Sequence, residues 1–432
     1  MAAITERPSW KWTKACGLAD ASLEARPRRS WPHFLIALFV IALVAGFAQF
    51  GAVASLDDVA HHFGHHTSSQ SLQSVVGLSG SVLGIGLAVL RLASLGALPL
   101  ASLADRWGRT TVLRRTLLLG LVITACASLS PSYWFFVLCF ALARPLLSTT
   151  SAMIQVITVE LTRTSRRIHR LVIISAGAGI GAGTAAILHG VIRGSDSFRW
   201  LFALALLPIF FLRPILRQVP EPTFHGAAAP MARLGAVPRG GRGRVAIVGT
   251  IVFVIGVISG PASGFTFVYG EGILKISPPV VASVVALSAV TGLAGLLLSR
   301  YLATVVGRRW TVVAGTLTTA ATASLAYGGG KTAFVIGYMS GVMAGGLLAP
   351  AIVALSTELF AHSFRATAAG WIVVAGVLGA MVGLLIFGLI GDSVHVTGAG
   401  SLRIPALVTF LPLLPLLLLL GRLPESSKME LT

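Results

Sequence analysis

The sequence predicts an all-α integral membrane protein, with twelve transmembrane helices in two similar six-helix halves. Three observations predict it. First, 55% of the 432 residues are hydrophobic and only 11% are charged, against about 25% charged in a soluble domain, too few to cover so apolar a chain in water. Second, twelve apolar runs are long enough to cross a bilayer, which takes about 20 residues. Third, sequence features recur about 200 residues apart. The net charge of +19 would suit a nucleic-acid partner if it gathered on one polar face. Here the charges lie thinly between apolar runs, so the expected surroundings are a lipid bilayer and no nucleic acid.

In chain order, residues 1–32 are polar and basic and read as a cytoplasmic tail. The first apolar run is too long for a signal-peptide core and lacks a cleavage site. The twelve helices are predicted at 33–54, 75–101, 111–129, 133–157, 170–192, 198–217, 244–269, 279–304, 311–327, 333–357, 367–390 and 404–421. Between the sixth and seventh, residues 218–243 carry Pro220, Pro222, Pro230 and Pro238 and an Arg-Gly-rich end, a flexible linker by composition. The expected division is therefore a half at 33–217, the linker, a half at 244–421 and a tail at 422–432. Cys16, Cys126 and Cys139 form neither a disulfide framework nor a metal-binding spacing, and no cofactor or metal is expected.

Orientation follows from Lys and Arg in the connections. Of 33 such residues, 26 fall in the two tails and the even-numbered connections, and 5 in the odd-numbered ones. The alternation predicts a multi-pass protein of the cell membrane with both termini cytoplasmic.

The repeat links Ala101-Ser-Leu-Ala-Asp-Arg-Trp-Gly-Arg109 to Arg300-Tyr-Leu-Ala-Thr-Val-Val-Gly-Arg-Arg309, Glu160…Arg167 to Glu358…Arg365, and Pro220-Glu221 to Pro424-Glu425. Each pair follows an even-numbered helix. At these residues the chain resembles the major facilitator superfamily, in its metabolite–proton symporter and sugar-porter branches. Leu103-Ala-Asp-Arg-Trp-Gly-Arg109 is similar to that family's signature between helices 2 and 3. Glu358-Leu-Phe…Phe-Arg-Ala-Thr367 is similar to its helix 10–11 signature. The chain departs from the pattern at Ala101, at Thr304, and at Ala48, where an acid is common. It also lacks the Gly-Pro signature of drug antiporters in helix 5 and a Gln pair in helix 7. The resemblance implies a monomeric transporter of the major facilitator type and a cytoplasmic gate. That gate would use Asp105, Arg106, Gly108, Arg109, Glu160 and Arg167 in the first half, and Gly307, Arg308, Arg309, Glu358 and Arg365 in the second. The alternative is that these arginines only fix topology. Glycines at the turns allow a backbone sign change, and Asp105 would suit a nearby helix N-terminus.

No Asp or Glu falls in the middle of a span, but Arg91 and Arg144 do. A charge in a membrane helix is costly and faces a wet cavity or a partner. With no carboxylate at their depth, these arginines face water, helix carbonyls or a negative substrate, and a guanidinium grips a carboxylate through two parallel bonds. Arg91 and Arg144 are therefore substrate-binding candidates, with backbone bonding as the alternative for Arg144. Gln49 and Gln155 join them, with interhelical hydrogen bonds as their alternative. The glycines of helix 5 (Gly177, Gly179, Gly181, Gly183) and helix 11 (Gly376, Gly379, Gly383) suit close packing.

Proton coupling rests mainly on the resemblance. Its candidates are Asp57, Asp58 and Glu271. His61, His62, His65 and His66 follow the Asp pair and read as a solvated loop, a pH-responsive group or, at a spacing of four, a zinc pair. His189 reads as a lone histidine near the end of helix 5. No nucleophile–base pair stands in the spans, so no enzyme is expected. The reading is a secondary active transporter of a small metabolite, preferably an organic anion, moved with protons. A sugar or other neutral solute, an efflux pump, or a non-transporting receptor are the alternatives.

Overall fold

The computed structural model describes residues 31–65, 72–162, 166–192, 196–222, 242–358, 365–393 and 402–410. The tails, most of the linker, His66, Pro424, Glu425 and residues 411–421 of the twelfth predicted helix lie outside them, as do the side chains of Glu358 and Arg365.

The helices are α1 (Trp31–Ala54), α2 (Gly80–Trp107), α3 (Arg109–Leu129), α4 (Tyr133–Glu160), α5 (Arg167–Val191), α6 (Ser197–Arg217), α7 (Arg242–Gly264), α8 (Pro278–Val305), α9 (Arg308–Gly328), α10 (Lys331–Glu358), α11 (Arg365–Ser393) and α12 (Arg403–Phe410). Ten of these are long and apolar enough to cross a membrane among the described residues. The other two are α9, which threonines at 311, 316, 318, 319 and 322 make more polar, and α12, described for eight residues. Exposed Trp200, Phe210, Phe211, Val290 and Leu297 line the outside, as suits a lipid-facing surface.

Two helices, α2 and α7, depart most from expectation. Helix α2 starts five residues later than predicted and runs six further. Ser79 caps its start, its hydroxyl accepting from the Val82 N–H at 3.3 Å, and the polar Ser102–Arg106 stretch stays helical. Asp105 thus sits on the last turn of α2, and the turn to α3 is Gly108 alone, at φ +85°. Its repeat partner Gly307 has φ +97°, the left-handed region that costs a side-chain-bearing residue. Helix α7 ends at Gly264, and a π-helical turn follows at Val268–Ile273.

The repeat is visible in the packing. α1 lies along α5 as α7 lies along α11, and α3 along α4 as α9 along α10. Glycines set the first pairing. A methyl on Gly181 would collide with the Leu43 carbonyl, and one on Gly383 with the Val257 carbonyl. The halves meet where α2 lies against α11 and α5 against α8. One apolar core spans both halves at the Asp57 end, joining Leu83, Phe198, Phe267, Val281 and Leu384. A second core belongs to the first half alone. The hydrogen bonds described between halves run from Arg91 toward the Asp57 end.

Candidate functional site

A cavity of about 550 Å³ lies between the halves, inside the range of small-molecule sites. α2 supplies Arg91 and Ser94, and all the other lining residues come from the second half: α7 with Ser259 and Ser263, α9 with Thr319, α10 with Tyr338, and apolar Val342, Ile372 and Val377 from α10 and α11. Among the described residues, Arg91 is the one charged lining residue. Its Nη2 donates to Ser263 Oγ at 3.2 Å, which leaves most of its five donors for a ligand.

The other substrate candidates are elsewhere. Arg144 Nη1 donates to the Gln49 carbonyl at 3.2 Å. Gln49 Nε2 donates to Ser151 Oγ at 2.9 Å. These bonds tie α1 to α4, and neither residue lines the cavity. The Arg144 Nε is buried with no hydrogen-bond partner. Gln155 is exposed and also outside the lining.

A second constellation closes the Asp57 end. The short helix Leu56–Phe63 carries Asp57, Asp58 and His61, and the π-helical turn carries Glu271. His189 stands between the halves. Its Nδ1 is 3.2 Å from Asp58 Oδ2 and its Nε2 is 3.0 Å from Glu271 Oε2. An imidazole that donates from both nitrogens is the cation. The Ser197 hydroxyl also donates to Asp58 Oδ2, at 2.5 Å. Asp57 lies beside this group. Its Oδ2 is 3.7 Å from His61 Nε2, and its Oδ1 is buried without a hydrogen-bond partner. Burial pushes the Asp57 carboxyl up to about 8; the negative charges of Glu271 and Asp58 add to this, and Lys275 and His189 offset part of it. Burial also raises Glu271, against the pull of His189. Gly272 makes the approach possible, since a methyl there would stand 2.7 Å from Asp57 Oδ1. Nearby, Asp392 of α11 accepts from the Gly80 and Ser81 N–H groups at 2.5 and 2.8 Å, a carboxylate from one half on the positive end of a helix from the other. His62 packs on Phe63 and Phe198 and lies 3.7 Å from Asp196. The His65 carbonyl accepts from Gln73.

At the opposite end, Arg109 pairs with Glu160 and lies 3.8 Å from Asp105. The helix N-terminus expected to attract Asp105 is instead capped by Glu221, which accepts from the Arg109 and Thr110 N–H groups at 2.6 and 3.0 Å. Asp105 and Arg106 are exposed. Arg167 Nε donates to the Thr162 carbonyl. In the second half, the Arg309 guanidinium stacks over Trp310 beside Arg308.

His189 is the residue of this constellation that the sequence reading left as a lone histidine. Its partners lie 131 and 82 positions away, so no local spacing marks it. The only signal was indirect: a histidine at a span end, and acids with no partner of their own.

The model of the Major Facilitator Superfamily matches residues 38–272 and 251–430. No curated protein matches. Among solved structures, the chain is similar to a bacterial homolog of the human lysosomal transporter Spinster in an inward-facing and occupied conformation (TM-score 0.73, 15% identity, covering 92% of this chain and 97% of that one). It is also similar to the xylose transporter XylE from E. coli in an inward-open conformation (0.66, 15%, 91% and 96%). A third is the human organic anion transporter MFSD10 (0.63, 16%, 90% and 100%). At these identities the likeness is one of fold.

Proposed function

Because the chain belongs to the major facilitator superfamily of membrane transporters, we propose that it carries a small organic anion across the cell membrane by alternating access, coupled to protons. One observation carries the anion: among the described residues, Arg91 is the only charge on the cavity wall, bonded there to a hydroxyl rather than a carboxylate. A carboxylate accepts two parallel bonds from a guanidinium. Bound there, it would touch α2 and α7 together, and so feel the halves move.

The Asp57 end supplies the coupling. The seam is packed with Asp57 neutral, Glu271 and Asp58 held by His189, and His61 and Lys275 at the edge. Charging Asp57 in that setting is unfavourable, so the seam opens when the proton leaves. The Lys/Arg bias sets the Gly108 end in the cytoplasm with both termini. Asp105, Arg106, Arg109, Glu160 and Arg167, with Arg308, Arg309, Glu358 and Arg365, are then the latch that shuts that end in the opposite state, while the halves 33–217 and 244–421 rock as units of a monomer.

Uptake into proteoliposomes tests this. With the outside acid, organic acids should accumulate and neutral sugars should not. Asp57→Asn, fixed neutral, should lose gradient-driven accumulation but keep exchange of anion for anion. Sugar accumulation without anion accumulation refutes the reading.

A further inference from the structure

We infer, resting on the anion reading above, that the cargo is a monocarboxylate with an apolar body that lies against the α10 wall of the cavity at Gly345. Two features of the lining carry this.

The first is the scarcity of positive charge among the described lining residues. Three of the five lining hydroxyls spend their proton on their own helix: Ser94 on the Arg91 carbonyl, Ser263 on Ser259 and Gly260, and Thr319 on Gly315. They offer lone pairs, which repel an anion. Arg91 can hold one carboxylate, and a second carboxylate on the same ligand would meet no cation on this wall. Desolvating that second charge unpaired is prohibitive.

The second is the space beyond Arg91. Gly337, Gly341 and Gly345 repeat every fourth residue on α10 and so share one face. Gly337 and Gly341 stand against Ala326 and Thr322 of α9, and all three glycines line the cavity. Gly337 is needed for packing, since a methyl there would collide with the Ala326 backbone. Gly345 is different. Nothing lies within 4 Å of the position its Cβ would take, and it is exposed to the cavity. Val342, Ile372, Val373 and Val377 line the same cavity, and aliphatic side chains reward methylene groups.

The test is binding of acetate, butyrate, hexanoate, octanoate and succinate to the full chain in nanodiscs, with empty nanodiscs subtracted. Affinity should rise about threefold to fourfold per added methylene, the value of a buried CH₂, until the chamber is full. Succinate should bind at least tenfold more weakly than butyrate, which has the same number of carbons. Gly345→Leu should cut octanoate affinity at least tenfold and leave acetate unchanged; Gly345→Val should do so to a smaller degree, and acetate binding reports that each variant is folded. Affinity independent of chain length, or succinate tighter than butyrate, overturns this inference while Arg91-dependent binding keeps the anion reading. If no carboxylate binds, or Arg91→Gln changes none of the affinities, the anion reading itself falls and this inference with it.

Discussion

Asp57 and His189 show how position decides chemistry for a single residue. Asp57 is a carboxyl with a buried, unbonded oxygen, raised to about 8. A carboxyl whose pKa is raised in one state binds more protons there, so that state is favoured at low pH and is lost as pH rises. The window runs from the usual value near 4 to about 8, with a slope of at most about 1.4 kcal/mol per pH unit for one proton. Spin labels at Gln73→Cys and Ser393→Cys, with the natural cysteines replaced, should therefore report one short distance at pH 5. A longer population should grow toward pH 8, and that growth with pH should vanish in Asp57→Asn; a pH-independent distance in the parent contradicts it. Arg91 was legible from sequence because a cation inside an apolar run has few explanations. His189 was not, because what makes it functional is supplied by Asp58 and Glu271 on distant elements. Arg144 shared the sequence signature of Arg91 but bonds a backbone carbonyl of α1, and only the relative rotation of the two helices separates the cases.

At the scale of elements, glycine has two uses that sequence cannot tell apart. Gly383 brings α11 onto the Val257 carbonyl of α7, whereas Gly345 faces empty space. Gly383→Ala should thus unfold or severely destabilise the protein. Gly345→Ala should leave it as stable or raise stability by up to about 1 kcal/mol, the helix-propensity gain. Thermal unfolding in detergent measures both, and equal losses would contradict the packing described. Helix ends were harder to read than helix existence. Each apolar run coincides with a helix among the described residues, the twelfth over 403–410 only, but the start of α2 depends on the Ser79 cap, and the end of α7 on a π-helical turn that positions Glu271. The α3 N-terminus carries Glu221 across 111 residues of chain. Glu221→Ala should cost about 1 kcal/mol, as lost caps do, without changing anion affinity.

For the whole molecule, the repeat and the alternating Lys/Arg count made the two-half architecture visible before any coordinate. What they did not carry is which end is shut. That depends on side chains from both halves meeting: Asp392 on α2, Glu271 on His189, and the apolar core shared at the Asp57 end. On the reading proposed above, a carrier sealed at the Asp57 end, with Arg91 the one charge lining its cavity among the described residues, releases its anion at the other. Exchange of labelled for unlabelled organic acid across proteoliposomes, with no pH gradient, isolates that claim from coupling. Parent protein and Arg91→Lys should exchange, the latter more weakly because a point charge replaces a fork, and Arg91→Gln should fall at least tenfold. Full exchange by Arg91→Gln would contradict the account.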